Sequence, residues 1–152
     1  MRRLRLFLLI VVGLVVFLAV SAVLARVLSV DDAERNAITS LIQAEARGDA
    51  GVMTRQILDC AENPGCQRRV AQDAAKLRRT GAVKILTLSS SAGFSLGSTL
   101  GTSRVAWRAG SALPVVQCVR VRRAGNALRG LHIQLLEISL RINSQANCPA
   151  RY

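Results

Sequence analysis

The chain has 152 residues, 21 Lys and Arg against 9 Asp and Glu, a single histidine and few aromatic residues, for a formal net charge of +12. At this size a single domain is expected beyond the N-terminal apolar run, and the scarcity of aromatic rings removes the stacking platforms that single-stranded nucleic acid requires. One histidine also leaves no room for a histidine-rich metal centre, and a catalytic triad would have to use His132.

The first element is an uncharged run from Leu6 to Leu24, preceded by Arg2, Arg3 and Arg5. As a helix it spans about 28 Å, close to the roughly 30 Å of a bilayer's hydrocarbon core. The arginines are expected to stay on the cytoplasmic side, which puts the rest of the chain outside. A cleaved signal peptide ending at Ala22 or Ala25 gives the same compartment, but the run exceeds a signal h-region and Val27 and Leu28 prolong it, which favours retention. The expected layout is residues 1–28 as cytoplasmic stub and anchor, 29–143 as one domain, and 144–152 as a tail carrying Cys148.

From Asp31 the apolar residues recur at three and four. A first domain helix is expected to begin with Ser29 or Asp31 as its cap, bury Ala37, Ile38, Leu41 and Ile42, and end at Gly48. Asp49 opens a second helix that the Asn63-Pro64-Gly65 turn stops, and a third runs from about Cys66 to Arg79 with Gly81 as the left-handed residue after it. Beyond Gly81 the texture changes to strands: Val83 to Ser89, about Gly101 to Arg108, Val115 to Arg123 and Leu131 to Ile142, with Gly125-Asn126 as a turn signal. Val105 and Trp107 alternate with Arg104, Ala106 and Arg108, so one face should be packed and the other wet. Adjacent Leu135 and Leu136 break the alternation, which predicts a bulge. Ser89 to Thr99 reads as a loop or poorly packed edge.

Cys60, Cys66, Cys118 and Cys148 all follow the anchor, as an oxidising compartment implies. The turn-forming segment between Cys60 and Cys66 pairs those two and leaves Cys118 for Cys148. The spacings do not suit a zinc knuckle, and no metal or other cofactor is expected.

Helices followed by antiparallel strands make an α+β domain in which helices cover one sheet face. The segments AITSLIQAEARGDAG, PVVQCVRVRRAGN and GLHIQLLEISLRI, in this order and with these lengths, resemble the nuclear transport factor 2-like superfamily, in particular small bacterial members with one N-terminal anchor. The resemblance covers about residues 31 to 143. It implies a cone of three helices on a curved sheet of about four strands, enclosing a pocket that some members use for ketosteroid-isomerase-like catalysis and many for binding alone. The isomerase-like members need an acidic base and a tyrosine in the pocket, whereas the one tyrosine here is Tyr152 and the one acid after Asp73 is Glu137.

No catalytic set is therefore assigned. Trp107, Gln117, His132, Gln134 and Glu137 are the candidate pocket lining by strand position. His132 and Glu137 stand five positions apart, on opposite faces unless the bulge shifts the phase. The serines at 89 to 91 lack a nucleophile elbow, GFSLGSTLG lacks a phosphate loop's lysine, and a pilin-type filament is disfavoured because no prepilin processing junction precedes the apolar run.

Charge is the most distinctive feature of the domain. Residues 31–73 sum to −3 and residues 74–152 to +11. Arg104, Arg108, Arg120, Arg122 and Arg123 should cluster across adjacent strands, with Arg120 and Arg122 on one face, and anionic company would relieve their repulsion. Such company could be lipid, an anionic envelope polymer or an acidic envelope protein; nucleic acid is not expected, and the oligomeric state is open. The reading is a membrane-anchored extracytoplasmic module that binds a partner protein, an anionic envelope component or a small ligand, with a ketosteroid-isomerase-like or hydrolase-like enzyme using a pocket in the cone as the alternative.

Overall fold

A computed structural model describes residues 2–91, 98–126 and 130–149. It is an α+β arrangement in which a long N-terminal helix and two shorter ones precede a four-stranded antiparallel sheet. The first helix, α1, runs unbroken from Arg2 to Arg47. The anchor and the first domain helix, expected as separate elements, are thus one. Ser29 and Asp31 lie inside it rather than at a cap, because nothing between residues 24 and 47 breaks a helix: there is no proline and no glycine. Its N-terminal part holds an 18-residue window of mean hydropathy 3.2 with none of it buried, long and apolar enough to cross a membrane.

Farther along, the same helix becomes core. Val30, Ile38, Leu41, Ile42, Ala44 and Ala46 are buried. Gly48, at φ 76°, ends the helix as expected, with its N–H donating to Glu45 O and that of Asp49 to Ala44 O, the paired bonds of a Schellman motif. Asp49 then caps α2 (Ala50–Gln56) by accepting from Val52 N at 2.9 Å.

Helix α2 stops seven residues short of the Asn63-Pro64-Gly65 turn. Ile57 is drawn into extended pairing with Leu135, and Leu58 N–H donates to Leu135 O, so the chain leaves the helix to join the sheet. A 3-10 turn at Cys60–Glu62 and the Cys60–Cys66 disulfide, Cα to Cα 5.3 Å, carry it into α3 (Pro64–Lys76). Asn63 is the cap, accepting from Gly65 and Cys66 N–H, and Pro64 takes the first helical position. Helix α3 ends before Arg79, whose N–H donates to Ala46 O; Gly81 is therefore not its terminal residue. At φ 98°, Gly81 instead packs against Gly110, where an added Cβ would lie 3.0 Å from Gly110 Cα.

The strands β1 (Val83–Ser90), β2 (Thr99–Ala109), β3 (Val115–Asn126) and β4 (Gly130–Ile138) form a meander in sequence order. Val105, Trp107, Val115, Val119, Val121, Leu135 and Ile138 pack on the helices. The expected bulge is present: Arg120 pairs Glu137 while Val121 pairs Leu135, leaving Leu136 unopposed. The β3–β4 turn falls later than Gly125-Asn126, since Asn126 still pairs Gly130; residues 127–129 lie outside the described residues, as do 92–97 of the serine- and glycine-rich stretch and the terminal Tyr152. Gly125 is needed here, at φ 104°, because a Cβ would lie 2.2 Å from Gly130 O.

Strand β4 ends at Ile138, not Ile142. The Ser139 hydroxyl accepts from Cys118 N–H, which interrupts the regular ladder before Ile142 rejoins Val116. The tail then crosses to the sheet face opposite the helices, where Cys148 is bonded to Cys118, Cα to Cα 5.7 Å. Ile38 is fully buried between these layers. Ile38→Ala is expected to cost about 2–5 kcal/mol, read as a shift of the denaturation midpoint in detergent with unchanged slope.

Candidate functional site

The sheet has two faces of unlike chemistry. On the helix-facing side, Trp107 and Gln117 have no exposed surface. Trp107 Nε1–H donates to Gln117 Oε1 at 2.7 Å, and Gln117 Nε2 donates to Glu45 Oε1 at 2.7 Å and Ser139 O at 3.1 Å. Burial pushes the Glu45 carboxyl up to about 8, the Gln117 hydrogen bond pulling the other way and the charge of Asp73 adding to the rise. Burial likewise raises Asp73, on α3, to about 7, against the pull of Arg69 and Lys76. Glu45 Oε2 and both Asp73 carboxylate oxygens are buried without a hydrogen-bond partner. Two sparsely bonded acids held partly neutral are a feature often found at active sites, but here they are sealed from solvent.

Arg123 also faces the helices. Its guanidinium donates to Glu34 Oε2 at 3.1 and 2.8 Å and to Asp31 Oδ1 at 2.7 Å, while the Ser103 hydroxyl donates to Glu34 Oε1. Burial pulls the Arg123 pKa down, and the hydrogen bonds and charges of Glu34 and Asp31 more than offset it. Arg123 is thus separated from the other arginines by the strand alternation: odd positions of β3 meet α1, even ones do not.

The opposite face gathers the remaining four. Pairing of Arg104 with Cys118, Thr102 with Arg120, Leu100 with Arg122 and Lys84 with Arg108 puts Arg104, Arg108, Arg120 and Arg122 on this side together with Lys84. Glu137 is its one carboxylate among the described residues, 3.3 Å from Arg120. Arg104 donates to Ser144 O, fastening the disulfide-bonded tail. Arg108 and Arg122 form no ion pair among the described residues.

The five candidate pocket residues are not brought together. Trp107 and Gln117 are inside, whereas His132, Gln134 and Glu137 pair Ala124, Arg122 and Arg120 on the outer face. The bulge does shift Glu137 to the side of His132, yet their partners stand four residues apart, about 13 Å along a strand. A cleft of about 240 Å³ does form beside Glu137, where Asp59, Cys66, Arg69 and Ile138 also line the gap between β4 and α3. No group of three or more metal-ligating side chains occurs among the described residues. No protein-family model, curated protein or solved structure matches the chain.

The acids Glu34, Glu45 and Asp73 were not visible as site residues by composition. Their positions did carry a signal: Val30, Glu34, Ile38, Leu41 and Glu45 form one helical stripe, as do Val70, Asp73, Ala74 and Leu77, so each acid sits where an apolar residue is due.

Because the fold keeps protons on Glu45 and Asp73 that the unfolded chain releases near their ordinary values of 4.5 and 3.8, stability should fall as pH rises from about 5 to 8. Glu45→Gln and Asp73→Asn should flatten that dependence, each raising stability at pH 8 by on the order of 2 kcal/mol, measured by thermal unfolding across pH. Arg123→Ala should cost about 3 kcal/mol by stranding the buried Glu34 charge, whereas Arg122→Ala should stay within about 0.5 kcal/mol in the same assay.

Proposed function

We propose that the chain is a single-pass, membrane-anchored interaction module of the cell envelope, with its N-terminus cytoplasmic and its domain extracytoplasmic, whose outer sheet face takes an anionic partner. The observation that carries this reading is the cationic face itself: Arg104, Arg108, Arg120, Arg122 and Lys84 share one side of the sheet with one carboxylate among the described residues. Charge of one sign concentrated on a partly exposed surface attracts polyanions at long range and holds them by many weak contacts. The helix long and apolar enough to span a bilayer supports the anchor, the two disulfides fit an oxidising compartment, and the three leading arginines favour the stated orientation.

We retain the nuclear transport factor 2-like relationship, with its cone, as part of this proposal. The order of helices before a bulged antiparallel sheet supports it. An enzymatic role has less support, because the acids with raised pKa are sealed and His132 and Glu137 lie apart on an open face.

The test uses the full chain in nanodiscs of uncharged phosphatidylcholine with polyglutamate and dextran sulfate as defined probes. Salt-sensitive binding of either probe is expected, weakened about tenfold or more by Arg108→Glu with Arg122→Glu, two residues outside the internal ion pairs. Absence of binding, or equal binding by the double variant, would overturn the proposal.

A further inference from the structure

We infer that the cleft between β4 and the start of α3 is a binding site for a free apolar α-amino acid, with its carboxylate held by Arg69, its ammonium by Asp59 and its side chain by the apolar wall of the cleft. This site lies at the β4 edge of the sheet, apart from the cationic outer face, and its argument needs neither that face nor the anchor.

Three local events open the cleft. Ile57 and Leu58 leave α2 to pair with Leu135, the bulge leaves Leu136 unopposed, and the Cys60–Cys66 disulfide ties the chain back to the first turn of α3. The gap that results measures about 240 Å³, and Ile57, Leu58, Val70, Leu136 and Ile138 supply its apolar wall. Leu58 keeps 37% of its surface exposed, so this wall is open to a solute. Sites that take drug-sized ligands occupy roughly 300–1,000 Å³. The smaller cleft suits a molecule the size of one residue, whereas a long acyl chain would leave most of its carbons in water.

The polar lining selects the kind of small molecule. Arg69 is half-buried and makes no ion pair or hydrogen bond among the described residues. Asp73, one turn along α3, does not hold it, since both Asp73 oxygens are buried without a hydrogen-bond partner. The exposed Asp59 carboxylate is equally unengaged among the described residues, although Asp59 lines the same cleft. Opposite charges that share a cleft without meeting each other complement a ligand that carries both signs close together. An α-amino acid does so, and its apolar side chain has the wall beside it. A planar guanidinium matches a carboxylate with two parallel bonds, and a carboxylate accepts from an ammonium.

Neighbouring polar groups are already spent. Glu137 stands 3.3 Å from Arg120, and Asn63 Oδ1 accepts from Gly65 and Cys66 N–H, which occupies the first amides of α3. The anionic end of the ligand therefore falls to Arg69 and not to the helix terminus. Asp59 carries a further mark. It is the one residue other than glycine with positive φ among the described residues, at 55°, and its side chain makes no capping bond that would reward that conformation. Backbone held in this region without a local reward is characteristic of ligand-binding positions.

The test titrates the full chain in phosphatidylcholine nanodiscs with L-valine, L-leucine and L-phenylalanine, followed by calorimetry. Saturable one-to-one binding is expected for at least one of them. Taking L-leucine as the example, N-acetyl-L-leucine, which lacks the ammonium, and L-leucinamide, which lacks the carboxylate, should each bind about tenfold or more weakly. Arg69→Gln should weaken the amino acid to the same extent yet leave leucinamide unchanged, and Asp59→Asn should do likewise for the amino acid yet leave N-acetyl-leucine unchanged. Asn tolerates the left-handed backbone, so Asp59→Asn tests the charge with the fold kept. The Arg108→Glu, Arg122→Glu double variant should bind the amino acid as wild type does, so this site and the outer face fail or succeed separately. No saturable binding of any of the three amino acids, equal binding of leucine and its two derivatives, or binding lost in the outer-face double variant but kept in Arg69→Gln would overturn the inference. Tighter binding of N-acetyl-leucine than of leucine would overturn it too, by marking the cleft as a site for a peptide terminus.

Discussion

Glu34 is a carboxylate with 2% of its surface exposed, and a charge so placed is tolerable only beside a matched partner. Arg123 is that partner, and it comes from the far side of the chain's sequence, at the end of β3. The Ser103 hydroxyl of β2 occupies the other Glu34 oxygen, so one side chain of α1 collects two strands. Because removing either member strands the other, this cluster fixes where the sheet sits along the helix. The position of Gln117 opposite Glu45 and the burial of Trp107 both inherit that register.

The polar interior has a further effect. A core made only of Val, Ile and Leu would tolerate sliding of α1 by one turn, since a helix offers a similar apolar surface every three or four residues. With Glu34 and Glu45 both tied to particular strand positions, such a slide would break the Arg123 and Gln117 bonds together. Burial of these acids thus trades some stability for a single arrangement, a role attested for buried polar groups in other helical systems. Solvent exclusion around Glu45 and Asp73 is what raises their pKa values, and it also closes them off from any solute.

Much of this architecture could be read from the chain because its determinants are local. The charge-free run, the Gly48 terminus, the Asp49 cap, the Val105/Trp107 alternation and the paired leucines at the bulge each depend on residues within one or two turns. The disulfides were legible for the same reason at Cys60 and Cys66, and by elimination for the other pair. What escaped was set by distant partners. Ile57 leaves its helix because Leu135 awaits it, β4 loses its ladder because the Ser139 hydroxyl intercepts Cys118 N–H, and Arg123 parts from Arg122 because Glu34 lies across from it. The candidate pocket failed to assemble because strand position was assigned without knowing which face each strand turned to the helices.

Continuity of α1 has one more consequence. A span with a flexible linker lets its domain ignore the lipid beneath it, but a jointless rod conveys its inclination to everything bonded along it. In the membrane-anchored arrangement proposed above, a thinner bilayer would make the apolar segment lean to hide its excess length, by the usual response to hydrophobic mismatch. The cationic sheet would then swing with it through the same angle, which would couple the direction this surface faces to the thickness of the surrounding lipid.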